Sequence, residues 1–395
     1  MKYTPKSEIY TRIDCFKKKL TEADMDGSII LLNSDIFYFT GTVQNSFLYI
    51  PTIGEPVLMV KRGLQRALEE SPLKNIVSIK NIKQIPEILH EFGYTVTNKI
   101  GMELDVVPFN TYKTYKKIFL QTEFYDISNL IKEIRAVKSP YEIELLHNAI
   151  HVIDEAFLSV PSFLKEGMSE VELASLFEAE MRKGGYSGSC RMRAFNQEFF
   201  YGNVCTGESG FYPSFFDGPV GGAGVSLSHP QGAGWKKIKR DEVIYIDYTC
   251  IVEGYSGDQT RIFCMGELTP KMVKAFEDAV LIQSEIVKAM KPGISAEEPY
   301  FMALKLAEKM GYKDNFMGYK ENQVKFLGHG IGLELDEWPV LTKGFKMPIV
   351  SGMTFAMEPK FVFPEGAIGI ENSFVMTENG PQRMSTNSDV ITYVK

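Results

Sequence analysis

The sequence predicts an α/β (α+β) chain of two domains, an amino-terminal α/β layer followed by a larger domain in which helices and antiparallel hairpins occur twice about a pseudo-twofold axis. Three observations predict it. Short apolar runs alternate with helical patterns up to about residue 130. A helix pattern with matching ends recurs at an offset of 126 residues. Each copy of that helix leads to a hairpin carrying two carboxylates. The 395 residues, 44% hydrophobic and 24% charged, are an ordinary globular balance with room for two cores.

In the first third, GSIILL, FLYI, PVLMV and KIGMEL are short apolar runs bounded by turn residues, as buried strands would be, while ALEE and IPEILHEF are helical. This segment carries no convergent chemistry. At EIRAVKSPYEIELLHNAI, Ser139, Pro140 and Glu142 predict a helix start: serine caps, proline takes the first helical position, and glutamate reaches back. The domain boundary is placed there, giving domains 1–134 and 135–395.

Beyond the boundary, Leu164 to Tyr186 and Met290 to Tyr312 share Lys165/Lys291, Gly167/Gly293, Ser169/Ser295, Glu172/Glu298, Lys183/Lys309, Gly185/Gly311 and Tyr186/Tyr312. Each copy is expected to be a serine-capped helix with a glycine stop, and the shared ends mark an internal repeat. The first copy leads to DEVIYIDYTCIVEGYSGDQTRIF and the second to MTFAMEPKFVFPEGAIGIENSFVMT, each turning at Glu-Gly. Asp247 and Asp258 lie nearly equidistant from the first turn, as Glu358 and Glu371 do from the second. Strand pairing therefore sets each pair opposite or diagonally opposite. These carboxylates are embedded in apolar strands, where unpaired charge is costly, so four together call for cations. His329, in FLGHGIGLELDEWPVL, is the natural nitrogen ligand beside them, and its flanking glycines let backbone approach closely.

Asp247, Asp258, His329, Glu358 and Glu371, in the contexts IDYT, GDQTRIF, GHGIG, AMEP and IEN, resemble the ligand set of the creatinase/aminopeptidase P/prolidase/methionine aminopeptidase superfamily, the pita-bread metallopeptidases. RAVKSPYE and FYFTG (Phe37 to Gly41) resemble the junction and amino-terminal domain of its proline-directed branch. The resemblance implies a creatinase-like amino-terminal domain, a pita-bread catalytic domain and two divalent metal ions. It also implies hydrolysis of the Xaa-Pro bond at the amino terminus of dipeptides or short peptides by a bridging hydroxide, and a homodimer. Glu358 would be ligand and proton shuttle, Asp247 and Glu371 would bridge, Asp258 would bind one ion and His329 the other. The oxygen-rich set suits Mn²⁺, with Co²⁺, Fe²⁺ or Zn²⁺ as alternatives.

Three positions depart from the family pattern. Asp336 stands where a histidine usually follows the ligand histidine by seven residues. Gly369 stands where an arginine usually precedes the last glutamate ligand by two. In SHPQGAG the usual catalytic histidine position falls either on His229 or on Gln231. All three concern how substrate is held. Arg191 to Ser228, rich in Phe, Tyr and Gly, is expected to rim the cleft, and Trp338 is a better candidate than Trp235 for an apolar substrate pocket. Two rival readings stay open: a hydrolase or lyase of a small non-peptide substrate on the same scaffold, and a catalytically silent binding module.

The net charge of −7, without a long basic run, disfavours nucleic acid and anionic membranes as partners and leaves a small peptide substrate. Five cysteines without CxxC spacing argue against a disulfide framework. The start MKYTPKSEIYTRIDCFKKKL has charges where a signal peptide needs an apolar core, so a cytoplasmic setting is expected.

Overall fold

The computed structural model describes residues 2–95, 98–193, 195–197 and 202–395. The chain divides into two compact units, Met1–Arg135 and Ala136–Lys395.

The first unit holds helices α1 (Lys6–Glu22), α2 (Asn33–Thr40), α3 (Leu64–Glu70), α4 (Ile85–Glu91), α5 (Phe109–Ile118) and α6 (Ser128–Ala136, running to the boundary). Its strands are β1 (Gly27–Ile30), β2 (Asn45–Pro51), β3 (Val57–Arg62), β4 (Asn75–Ser78), β5 (Lys99–Met102) and β6 (Glu123–Asp126). They form one mixed sheet in the order β4-β3-β2-β1-β5-β6. The apolar runs read from the sequence are β1, β2, β3 and β5. The FYFTG motif ends α2, and Gly41 stops that helix at φ +74°, a left-handed conformation that glycine adopts without strain. Strands β4 and β6 were not expected. Their partly exposed residues, NIVS and EFYD, lack the continuous apolar run that marks a buried strand.

The second unit begins with α7 (Pro140–Phe163). Ser139 Oγ accepts the Glu142 N–H at 3.2 Å while Glu142 accepts the Ser139 N–H at 3.1 Å, the reciprocal cap read from the sequence. Then come α8 (Glu170–Lys183), β7 (Gly202–Thr206), β8 (Ile244–Val252), β9 (Tyr255–Met265), α9 (Pro270–Ala289) and α10 (Glu297–Lys309). The chain closes with β10 (Phe326–Ile331), β11 (Leu335–Thr342), β12 (Thr354–Met357), β13 (Lys360–Phe363), β14 (Gly366–Gly369), β15 (Asn372–Thr377), β16 (Gly380–Arg383) and β17 (Thr392–Val394). The sheets are ordered β17-β9-β8-β7 and β11-β10-β12-β15-β16, with β13 and β14 as a separate ribbon.

The repeat is visible as α8 with β8–β9, and α10 with β12–β15. One detail differs from expectation: Ser169 caps α8 with its side chain, but α10 starts after Ala296 with no side-chain cap, and Glu298 N–H bonds instead to the Ser295 carbonyl. Both glycine stops, Gly185 and Gly311, have positive φ.

Alternation along β8 and β9 decides where the acids go. Ile244, Ile246 and Tyr248 enter one core with the buried faces of α7 and α8, whereas Tyr245 enters the other, with α9 and α10. Asp247 shares the face of Tyr245, two residues away, and Asp258 shares that of Ile262. A two-residue Glu253-Gly254 turn, with φ +52° and +91°, fixes the register. Asp247 pairs with Thr260 and Thr249 with Asp258, so the two aspartates are diagonal neighbours. In the second hairpin, Met357 pairs with Asn372 and Lys360 with Gly369 in a single register, which sets Glu358 opposite Glu371. An isolated bridge between Thr260 and Glu371 joins the two hairpins.

Candidate metal centre

Asp247, Asp258, His329, Glu358 and Glu371 converge on one cleft, which has a cavity volume of about 40 Å³. Phe216, Asp217, Gly218, Pro219, Val220, Phe326, Leu335, Asp336 and Lys360 complete its lining. All five predicted ligands are buried.

His329 is placed by its glycines. Strand β10 lies between β11 and β12, and a Cβ on Gly328 would meet the Ala356 carbonyl oxygen at 2.1 Å, one on Gly330 the Trp338 carbonyl oxygen at 2.4 Å. Close backbone approach, not a left-handed turn, is what these glycines supply. The β10–β11 ladder slips on both sides of His329, which pairs with Val340 while Gly330 pairs with Glu337. Such irregularities re-aim a side chain. The imidazole sits with Nδ1 3.4 Å from Asp336 Oδ1 and Nε2 3.7 Å from both Asp258 Oδ2 and Glu358 Oε1.

Each carboxylate is steadied by a hydroxyl or a cation. Tyr245 donates to Asp247 Oδ2 at 2.7 Å, Thr249 to Asp258 Oδ1 at 3.2 Å, and Thr260 to Glu371 Oε2 at 2.8 Å. Arg261, buried behind the site, donates from Nη1 to the Glu371 carbonyl and from Nη2 to Asn372 Oδ1, each at 2.8 Å, and thereby fixes the backbone that carries Glu371.

Sequence reasoning missed Lys360. Its Nζ lies 3.0 Å from Asp247 Oδ2, 2.6 Å from Glu358 Oε2 and 2.9 Å from Glu371 Oε2, with the side chain 1% exposed. The signal was present in the period-2 rule: residue 360 shares the face of residue 358 on an extended strand. Burial opposes the ammonium, yet Asp247, Glu358 and Glu371 together hold its pKa well above the ordinary lysine value. The acids remain under-compensated. Burial, then Glu371 and Asp247, push Asp258 well up, and burial, against Lys360, pushes Glu371 to about 8. Burial also raises Glu358, opposed by Lys360 and His329. At His329 burial favours the neutral ring, but Asp336, Glu358 and Glu371 raise its pKa. The cluster calls for more positive charge than Lys360 supplies.

A divalent ion fits this demand at one place. Ligand atoms of Asp258, His329 and Glu371 all lie within 4.8 Å of one another, among the described residues. The donors are two carboxylates and an imidazole, a set suited to a first-row divalent ion.

The other predicted site residues lie differently. Asp336 lines the cleft through its contact with His329. Trp338 is outside the lining, packed edge-on against Phe345 with ring centroids 5.2 Å apart, and Trp235 is 68% exposed. His229 closes a turn with Ser226, its N–H bonding to the Ser226 carbonyl at 3.0 Å, and Gln231 is buried nearby; neither is among the described residues lining the cleft. Of the aromatic segment, Phe216 to Val220 rims the cleft, while Phe199, Phe200 and Tyr201 lie outside the described residues. No disulfide joins the five cysteines among the described residues.

This geometry is accompanied by a sequence match. Residues 144–378, more than half of the chain, match the model of Metallopeptidase family M24. The chain belongs to metallopeptidase family M24. Residues 12–137 match the Creatinase/Prolidase N-terminal domain. The chain is 27% identical to the Xaa-Pro dipeptidase of Pyrococcus furiosus over 377 residues, 95% of this chain and 97% of that protein. Among solved structures, it is similar to the prolidase from Pyrococcus furiosus, with 26% identity and a TM-score of 0.77, covering 94% of this chain and 99% of that one. It shares the fold of the Xaa-Pro dipeptidase from Bacillus anthracis, with 23% identity and a TM-score of 0.83, covering 98% and 100%. Membership of an M24 metallopeptidase family implies divalent metal as the cofactor.

Proposed function

We propose that this M24 chain is a metal-dependent peptidase that hydrolyses the bond between an amino-terminal residue and proline in dipeptides or short peptides. The observation that carries the reading is the convergence of Asp258, His329, Glu371 and Glu358 on one buried cleft of a chain whose named relatives include Xaa-Pro dipeptidases. Those relatives do not favour a non-peptide substrate or a silent module.

Asp258, His329 and Glu371 would hold metal. Such an ion would supply Lewis acidity toward the scissile carbonyl and the attacking water. Glu358 is the proton carrier of the proposal. Its Oε1 faces His329 Nε2 while its Oε2 is held by Lys360, so one oxygen is fixed and the other is directed to the reacting centre. Burial raises its pKa toward the range in which a carboxyl can take a proton and return it. Phe216, Pro219 and Val220 wall the cleft with apolar surface suited to a proline ring. The oxygen-rich donors favour Mn²⁺, Co²⁺ or Fe²⁺ over a thiolate-type zinc site, with Mn²⁺ proposed. A homodimer and a cytoplasmic setting belong to the same proposal; among the described residues, no helix is long and apolar enough to cross a membrane.

The test is hydrolysis of a Xaa-Pro dipeptide and a matched Xaa-Pro-Xaa tripeptide by protein stripped with chelator and reloaded with Mn²⁺, Co²⁺ or Zn²⁺. Metal-restored turnover that is lost in Glu358→Gln supports the peptidase, and the preferred length separates dipeptidase from aminopeptidase. Absence of turnover with metal demonstrably bound defeats it.

A further inference from the structure

We infer that this chain holds one divalent ion, and that the Lys360 ammonium itself occupies the second cation position of the cluster. The inference rests on the metallopeptidase reading and deepens it.

The oxygens of the site are already divided. Asp247 Oδ2, Glu358 Oε2 and Glu371 Oε2 surround Lys360 Nζ at 2.6 to 3.0 Å. Asp258 Oδ2 and Glu358 Oε1 face His329 Nε2 on the other side. Two of the four predicted carboxylate ligands thus present one oxygen to each position or lie between them, while Asp247 is committed to the lysine. A metal bound at the lysine's position would need oxygens at about 2.0–2.2 Å. It would overlap the ammonium and repel it across a buried, poorly screened gap. Ion and ammonium exclude one another there.

The backbone is built for this lysine. Lys360 pairs with Gly369 across β13 and β14. A Cβ on Gly369 would lie 2.9 Å from Lys360 Cγ and 2.7 Å from its Cα. Any side chain at 369 would crowd the stem of Lys360, so Gly369 and Lys360 belong together. One of the sequence's departures from the family pattern thereby has a local cause.

The test counts ions. Full-length chain is stripped with chelator, dialysed to saturation against Mn²⁺ or Co²⁺, and its metal-to-protein ratio measured by elemental analysis beside Lys360→Ala. The expected ratios are one for the unaltered chain and two for Lys360→Ala. A ratio of two or of zero in the unaltered chain, or of one in the variant, overturns the inference. Because Lys360→Ala leaves three carboxylates without their cation, Lys360→Gly prepared throughout in Mn²⁺ serves if the alanine variant does not fold, with the same ratio of two expected. Peptide hydrolysis on the same samples separates the two readings. One bound ion without turnover leaves the count standing and defeats the peptidase; turnover with two bound ions does the reverse.

Discussion

Asp336 Oδ1 lies 3.4 Å from His329 Nδ1, on the side of the ring opposite the Asp258 and Glu358 carboxylates. A carboxylate behind an imidazole fixes which nitrogen faces the metal and strengthens it as a donor. Asp336 adopts φ +65°, a left-handed conformation that aspartate tolerates better than most residues. We propose that the residue standing in place of the family histidine positions this ring together with the Gly330 carbonyl, which lies 3.2 Å from the same nitrogen.

Asp336→Ala is expected to weaken Mn²⁺ binding by about 10–100-fold. Titration of chelator-stripped protein measures it, and Asp336→Asn should fall between. Unchanged affinity would show that the ring is oriented without this partner.

Gly330→Ala should destabilise the chain by about 1–3 kcal/mol, because its methyl would run into the Trp338 and Glu337 carbonyl oxygens. Thermal or urea unfolding with and without Mn²⁺ reads the effect. A neutral result would mean that β11 yields more readily than the packed strands imply.

Arg261→Leu is expected to cost about 3–5 kcal/mol, since in a buried site it takes the guanidinium donor from the Glu371 carbonyl and leaves Asn372 Oδ1 with the Ser385 hydroxyl alone. Arg261→Lys should recover only part, as a point-like ammonium on a flexible stem lacks the rigid fork with which the planar guanidinium spans the two acceptors. Equilibrium unfolding ranks the three proteins, and the reverse order for Lys and Leu would sink the argument.

At the start of α8, Ser169→Ala removes the cap from the Glu172 N–H and is expected to cost about 1 kcal/mol. The Glu172 carboxyl is held down to about 2 by the Ser169 N–H first, then by the Ser169 hydroxyl and Lys237. A carboxylate with a depressed folded pKa stabilises above its ordinary value and loses that contribution as pH falls through its folded pKa. The gap in melting temperature between the unaltered chain and Glu172→Gln should therefore be full at neutral pH and close between about pH 4.5 and pH 2. A gap that ignores pH would place the effect of the substitution elsewhere.

Much of this protein is local in origin and was legible for that reason. Short apolar runs between turn residues located β1, β2, β3 and β5, and the Ser-Pro-x-Glu start located α7. Counting residues from each Glu-Gly turn aligned Asp247 with Asp258 and Glu358 with Glu371, because a strand has a fixed period of two and a short turn fixes register. By itself, then, the sequence determined the duplicated architecture, the five side chains that converge on one cleft and the need for positive charge among them.

The partners of those ligands were decided by the tertiary structure alone. A lysine is ordinarily a surface residue, and although the period-2 spacing puts Lys360 on the face of Glu358, its three carboxylate partners meet it only when β13 is laid beside Gly369 and across from Asp247. Arg261 reaches Glu371 over 110 residues of chain, and Asp336 meets His329 beside a β10–β11 ladder whose register shifts on both sides of that histidine. The displacement of His229, Gln231 and Trp338 from the cleft lining has the same origin. Local pattern sets which face a side chain takes; which charges then neutralise one another depends on packing between hairpins distant in sequence, and that no spacing rule encodes.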